Sequence, residues 1–242
     1  MKGSRLSDLK RGKLYLIPVA LGGEDAASLI PPATLDAARS LRTFAVENAK
    51  SARRFLKAIG HPMPLQQIVL HQFDEHTRDV EPLLALLLAG EDCGLMSEAG
   101  CPAVADPGAS LVQRAHDAGI DVMPLVGPSS ILLALMASGM NGQRFAFRGY
   151  LPVDRMERAR RLRELDALSS RETQIFIETP YRNAAMLQSL LEHCRGDTLL
   201  CIAADLTLPA ASVITRSVAL WKKNPPAVDR RQVVFLLGRT ES

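Results

Sequence analysis

Cys93-Gly-Leu-Met-Ser-Glu-Ala-Gly-Cys-Pro-Ala-Val-Ala-Asp-Pro-Gly108 runs from a short apolar segment into a loop and on to an amphipathic stretch, Ser110–Ala118. Cys93–Met96 reads as a buried strand, and the helix after it is stopped by Gly119. The connection Ser97–Gly108 has twelve residues, whereas strand-to-helix connections usually take about 2–6. Ala99, Gly100, Ala103 and Ala105 are small enough for a ligand to reach the backbone, and Pro102 and Pro107 fix the path. Glu98 and Asp106 can accept hydrogen bonds from hydroxyl or ammonium groups. In open α/β sheets ligands bind beyond the carboxyl ends of the strands, where this loop falls. The alternative is a rigid connection in which Asp106 merely leads into the next helix.

The same alternation extends in both directions. Strands are expected at Leu14–Pro18, Thr43–Glu47, Ile68–His71 and Ile120–Leu125, and helices at Pro31–Ser40, Ser51–Ile59, Val80–Ala89 and Ser129–Ser138. Phe55, Leu56 and Ile59 share one helical face, and Gly60, Gly90 and Gly139 act as stops. Strand–helix alternation of this kind implies a parallel sheet covered on both faces. Asn141-Gly142 is a turn signal, followed by extended Phe145–Leu151 and an arginine-rich helix at Asp154–Ala167. Strands resume at Gln174–Glu178, Leu199–Ala203 and Val233–Leu237, with a helix at Ala184–His193. The expected organisation is α/β in two parts. A basic arm covers residues 1–12, an N-terminal α/β domain 13–146, and a C-terminal α/β domain 147–242, with the boundary near residues 142–152.

Composition narrows the function. The chain has 242 residues, 47% hydrophobic and 23% charged, with a net charge of +3; this is the profile of a folded globular protein. No apolar run approaches the ~18 residues of a membrane span. The basic, polar Met1–Lys13 lacks the apolar centre of a secretory signal, so a cytoplasmic address is expected. Cys93, Cys101, Cys194 and Cys201 form no C-x-x-C pair, and neither they nor His71 and His76 have metal-ligand spacing. The glycine-rich dinucleotide and P-loop motifs are absent, and Gly127-Pro-Ser-Ser-Ile131 lacks the closing glycine of a hydrolase elbow. The loop Val126–Ser130 instead follows the fifth strand, with Ser129 and Ser130 placed to cap a helix or to bind a polar cofactor.

Taken in order, Leu14–Pro18, Ser97–Gly108, Leu125–Ser130, Gly149-Tyr-Leu-Pro152 and Phe176-Ile-Glu-Thr-Pro-Tyr-Arg182 resemble the tetrapyrrole methylase superfamily. Within it they are most similar to the branch of 16S rRNA ribose 2'-O-methyltransferases or to a sister branch of S-adenosylmethionine-dependent methyltransferases. The resemblance implies two α/β domains with S-adenosylmethionine in a cleft between them, and a homodimer. It implies that Pro18 to Gly22, Glu98, Ala99, Gly100, Val104, Ser129, Ser130, Thr179, Pro180 and Ala204 border the cofactor. The chain departs from the rRNA branch at Val19-Ala-Leu-Gly-Gly-Glu24, where that branch has Thr-Pro-x-Gly-Asn. It departs again at Glu47-Asn-Ala-Lys50 for Glu-Asp-Thr-Arg, and at Ala204-Asp-Leu-Thr-Leu208 for Arg-Glu-Leu-Thr-Lys.

Methyl transfer from a sulfonium requires alignment more than a metal or a covalent nucleophile. An oxygen acceptor benefits from a base or a polarising group, and Glu47, Glu178, Tyr181 and Arg182 are the candidates. Each also has a structural reading, as a strand-end residue or a member of an ion pair. Met1–Lys13 carries five basic residues, and Phe147–Glu164 carries six arginines against three acids. These are candidate phosphate contacts, or else a solvated helix face laced by i,i+4 pairs. The acceptor is therefore an RNA or a tetrapyrrole or other small molecule; a module that binds S-adenosylmethionine without turnover is the third reading.

Overall fold

The computed structural model describes residues 10–23, 27–73 and 79–239. Most of the expected basic arm, residues 1–9, lies outside the described residues, as does His76. Contacts divide the chain into two units, Met1–Ser129 and Ser130–Ser242.

The first unit contains β1 (Leu14–Leu16), α1 (Pro32–Ser40), β2 (Thr43–Val46), α2 (Ala49–Ala58) and β3 (Val69–Gln72). It continues with α3 (Glu81–Leu88), β4 (Cys93–Met96), α4 (Ala109–Asp117) and β5 (Val122–Pro124). Its sheet has the order β3-β2-β4-β1-β5, and every pairing is parallel. Residues on β2 alternate between two cores because side chains on a strand point to opposite faces. Phe44 and Val46 join Leu35, Ala38, Phe55 and Leu56 under α1 and α2. Ala45 joins Leu83, Leu87, Leu111 and Ala115 under α3 and α4. Gly94 on β4 makes room for this packing, since a Cβ there would sit 2.6 Å from Phe44 Cδ1. The doubly covered parallel sheet is the architecture that strand–helix alternation implies.

The second unit contains α5 (Ser130–Ser138), β6 (Phe145–Tyr150), α6 (Arg155–Leu168), β7 (Thr173–Ile177) and α7 (Asn183–His193). It ends with β8 (Leu199–Ala204), β9 (Ser212–Ser217), α8 (Val218–Lys223) and β10 (Val233–Gly238). Its sheet, ordered β6-β7-β10-β8-β9, is mixed: β6 and β7 are parallel, and the other pairings are antiparallel. β10 is buried along its whole length. Phe235 and Leu237 face α6, α7 and Trp221, whereas Val234 and Leu236 face Ile131, Ala134 and Leu135 of α5. That second contact moves the domain boundary. The composition change near residues 142–152 assigned α5 to the first domain, but its apolar face packs on the second sheet, so the division falls at Ser129/Ser130.

β9 and α8 are the elements that the sequence reading omitted. β9 is an edge strand whose exposed positions Ile214 and Arg216 alternate with partly buried ones. α8 has only six residues and is anchored by Trp221, whose indole Nε1–H donates to the Leu200 carbonyl at 2.8 Å. No helix of the described residues is long and apolar enough to cross a membrane.

Candidate functional site

Because all strands of the first sheet run the same way, the loops after β1, β2, β4 and β5 emerge at one edge. β1 lies between β4 and β5, so its exit is flanked by theirs. Val19 and Gly100 exchange backbone hydrogen bonds, at 2.9 and 3.1 Å, which ties the exit of β1 to the loop after β4. Gly127 packs so closely on Pro18 that a Cβ would lie 2.3 Å from the proline Cβ. The Thr34 hydroxyl donates to the Val126 carbonyl at 2.8 Å, and the Cys101 thiol reaches the Pro128 carbonyl at 3.5 Å. The loop after β4 is strained as well as tethered. Ala103 and Ala105 both have φ of 64°, a left-handed conformation that costs a non-glycine residue on the order of 1 kcal/mol and clusters at functional sites.

Three carboxylates meet at this edge. Burial, then the Glu47 charge, and to a lesser extent Glu98, push Asp106 up to about 6, against a hydrogen bond from Ser97 that favours its anion. Glu98 accepts from the Ser51 hydroxyl at 3.2 Å. Ser51 lies in the first turn of α2, whose N-cap is Asn48; the Asn48 Oδ1 accepts from the backbone N–H groups of Lys50 and Ser51 at 2.9 and 3.3 Å. Asparagine thus keeps the capping role open to the aspartate of the related motif. Among the described residues no group of three His, Cys, Asp or Glu is arranged to hold a metal ion. Burial pushes the Cys93 and Cys194 thiols up to about 12, which leaves them unreactive.

The second unit has its own loop cluster. In the order β7-β10-β8, antiparallel pairing sets the amino end of β10 between the carboxyl ends of β7 and β8. Glu178, 6% exposed, accepts from Arg182 Nε and Nη2 at 2.9 and 2.5 Å and from the Thr179 N–H at 2.7 Å. The Arg230 N–H donates to the Pro180 carbonyl at 3.1 Å. Asp205, at φ 50°, pairs with Arg231 at 2.7 Å, and the Asn183 side-chain amide donates to the Arg231 carbonyl, also at 2.7 Å. Two buried oxygens in this cluster, Asn183 Oδ1 and Thr207 Oγ1, have no hydrogen-bond partner among the described residues. Thr207 is itself left-handed, at φ 70°.

The expected residues therefore form two groups, one in each unit. Pro18, Gly22, Glu47, Glu98, Ala99, Gly100, Val104 and Ser129 belong to the loops at the edge of the first sheet. Thr179, Pro180, Tyr181, Arg182, Glu178 and Ala204 belong to the loops and strand ends of the second unit, and Ser130 is the first residue of α5. Tyr181 is 82% exposed, and Glu178 and Arg182 neutralise one another. Asp106 was expected as a loop carboxylate, whereas Ser51 and Ser97 were not among the expected site residues; the serine contacts bridge positions that no local pattern links. An apolar groove of about 570 Å³ lies elsewhere, between α7 and Pro225–Asp229. None of the expected residues lines it.

Residues 13–219 match the family described as Tetrapyrrole (Corrin/Porphyrin) Methylases. The chain is 32% identical over 210 residues to Ribosomal RNA small subunit methyltransferase I of Vibrio cholerae, spanning 84% of this chain and 70% of that one. It is also 32% identical over 232 residues to the protein of the same name from Mesorhizobium japonicum, spanning 95% and 76%. Among solved structures, the fold is similar to that of the methyltransferase CobJ, with a TM-score of 0.62, 19% identity and 95% of each chain covered. It is similar as well to uroporphyrin-III-C-methyltransferase from Thermus thermophilus, with a TM-score of 0.55, 18% identity and 95% of each chain covered. With the family matched over most of its length, this chain belongs to the tetrapyrrole methylases and is a methyltransferase.

Proposed function

We propose that the protein uses S-adenosylmethionine to methylate a ribose 2'-hydroxyl of small-subunit ribosomal RNA. The observation that carries this reading is identity of 32% to proteins named for that RNA, sustained over 84% and 95% of the chain. The residues present fit the donor. The carboxylates Glu47, Glu98 and Asp106 suit a cationic group, and the backbone around Gly100 is fixed by its tie to Val19. Bound, the donor supplies a methyl group already activated on sulfonium sulfur.

The chain's own contribution is alignment and proton handling. The stitched exits of β1, β4 and β5 fix the backbone of the binding loop, and fixed geometry is the main catalytic resource of such a transfer. Asp106, with its affinity for protons raised to about pH 6, is the carboxylate best poised to accept the hydroxyl proton, with Glu47 beside it. Glu178 and Arg182 act by positioning: their ion pair and the Thr179 N–H bond hold the Thr179–Pro180 backbone. Tyr181 is free to meet the acceptor. An rRNA substrate implies a cytoplasmic address. A homodimer is what the resemblance implies, and a monomeric mass by light scattering would refute it.

The test is transfer of tritiated methyl from S-adenosylmethionine into small ribosomal subunits from cells lacking the protein. Label is expected in 16S rRNA, released by ribonuclease as a 2'-O-methylated nucleotide. Label confined to ribonuclease-resistant small molecules would move the assignment to a tetrapyrrole-type acceptor. Cofactor binding with no label in any fraction would leave a binding module.

A further inference from the structure

The four cations of α2 carry a specific implication for the substrate. Lys50, Arg53, Arg54 and Lys57 recur at i, i+3, i+4 and i+7, so they share one helical face, opposite the buried Ala52, Phe55 and Leu56. All four are exposed, and none has an ion-pair partner among the described residues. Like charges three and four positions apart repel, and Lys50 stands in the first turn, where the helix dipole disfavours a cation. No acidic residue in that turn relieves it. The face therefore carries four solvent-facing cations that no residue among those described takes up.

α6 shows that arginine density alone is not the signal. Of its arginines, Arg155 pairs with Glu192, and Arg161 pairs with Glu164. Arg158 donates to the Ser189 hydroxyl and to the Val153 carbonyl, stapling α6 to α7 and to its own leading loop. Arg160 and Arg163 are exposed without a partner among the described residues, so α6 keeps two free cations, whereas all four on α2 are free and share one face.

Position selects the ligand. α2 begins directly after Glu47 and Asn48, and Ser51 in its first turn donates to Glu98 of the binding loop. The cationic face thus starts at the carboxylate cluster and extends about 10 Å along the helix. Those carboxylates repel a phosphate backbone, so a bound nucleic acid needs a cationic track beside the site to hold it in register. Phosphate contacts of this kind orient a strand without reading its sequence.

We propose that this face of α2 docks the substrate's phosphate backbone and sets the register in which one ribose reaches the loops after β2 and β4. The inference rests on the rRNA reading above. Its test uses the full-length protein, a 16S rRNA transcript and small ribosomal subunits. The variant Lys50→Gln/Arg53→Gln/Arg54→Gln/Lys57→Gln should bind RNA at least ~10-fold more weakly at moderate salt, and the slope of log affinity against log salt should flatten by about 3. Its S-adenosylmethionine affinity and circular dichroism should match those of the unaltered protein, which separates lost docking from lost folding. The pair Arg53→Gln/Arg54→Gln should flatten the slope, whereas the charge-matched pair Arg160→Gln/Arg163→Gln on α6 should not. If the unaltered protein methylates rRNA while the quadruple variant keeps its slope, the docking face is refuted and the substrate stands. Equal losses from the α2 and α6 pairs would refute it too. If the unaltered protein methylates no RNA, the substrate reading has failed and the docking face falls with it. Binding of α2 to anionic phospholipid vesicles in preference to RNA would likewise overturn it.

Discussion

The two loop clusters use charge in opposite ways. In the second unit every carboxylate of the cluster is matched: Glu178 holds Arg182, and Asp205 holds Arg231 while also accepting the Gln232 N–H at 3.0 Å. In the first unit burial, with the charges of Glu47 and Glu98 adding to it, pushes the Asp106 carboxyl up to about 6. The backbones differ in the same sense. The second cluster is knotted by side chains reaching across an antiparallel ladder; the first is stitched by backbone bonds, prolines and a glycine contact with almost no room to spare. Matched charge builds a support; a partly buried carboxyl raised toward neutrality on a rigid backbone is instead a group whose proton can move near neutral pH.

The largest expected effect comes from unmatching the second cluster. Arg182→Met leaves the buried Glu178 carboxylate with only the Thr179 N–H, and the cost should be about 3 kcal/mol in urea unfolding. Glu178→Gln, which keeps a hydrogen-bonding group there, should cost less; equal losses would show that the ion pair is not what holds this loop. Next comes the packing of the first cluster. Gly127→Ala places a methyl on Pro18 and should cost about 1–3 kcal/mol of stability while weakening S-adenosylmethionine binding in calorimetry. Unchanged cofactor affinity would separate this loop from the donor site.

The smallest effect tests the crowded charge itself. A carboxyl whose folded pKa is raised binds its proton more tightly in the folded state, so its contribution is fully present below about pH 4 and is lost as pH rises through 6. Asp106→Asn should therefore stabilise the protein at pH 8 but not at pH 4. Asp106 is partly exposed, so the gain should be on the order of 1 kcal/mol. Thermal unfolding at the two pH values measures it, and a gain independent of pH would dismiss the carboxylate crowding. If Asp106 also accepts the hydroxyl proton, the same variant loses methyl transfer while retaining cofactor affinity.

Much of this arrangement is legible in the residues themselves. Cys93–Met96 forms the strand expected of it, and the long proline-bearing loop that follows lies at the carboxyl edge of a parallel sheet, because alternation of short strands and helices leaves a covered parallel sheet as the compact solution. The same local logic underlies the α2 cations, whose spacing is a helical period. The apolar face of Phe55, Leu56 and Ile59 is the more visible half of that pattern, and the denser arginines of Asp154–Ala167 are the more visible charge.

Other features depend on partners far away along the chain. Arg158 is taken up by Ser189, Thr34 by Val126, and Pro18 by Gly127; Asn183 meets Arg231 only because β10 inserts between β7 and β8. Likewise α5 could cover either sheet as far as its periodicity goes, and packing against Val234 and Leu236 decides the matter. Local pattern, then, determined the elements, their alternation and the long loop after β4, since propensity and periodicity act over a few residues. Which charges are spent within the protein and which remain for a ligand was decided only on folding, because ion pairing and burial depend on neighbours that the chain supplies from a distance.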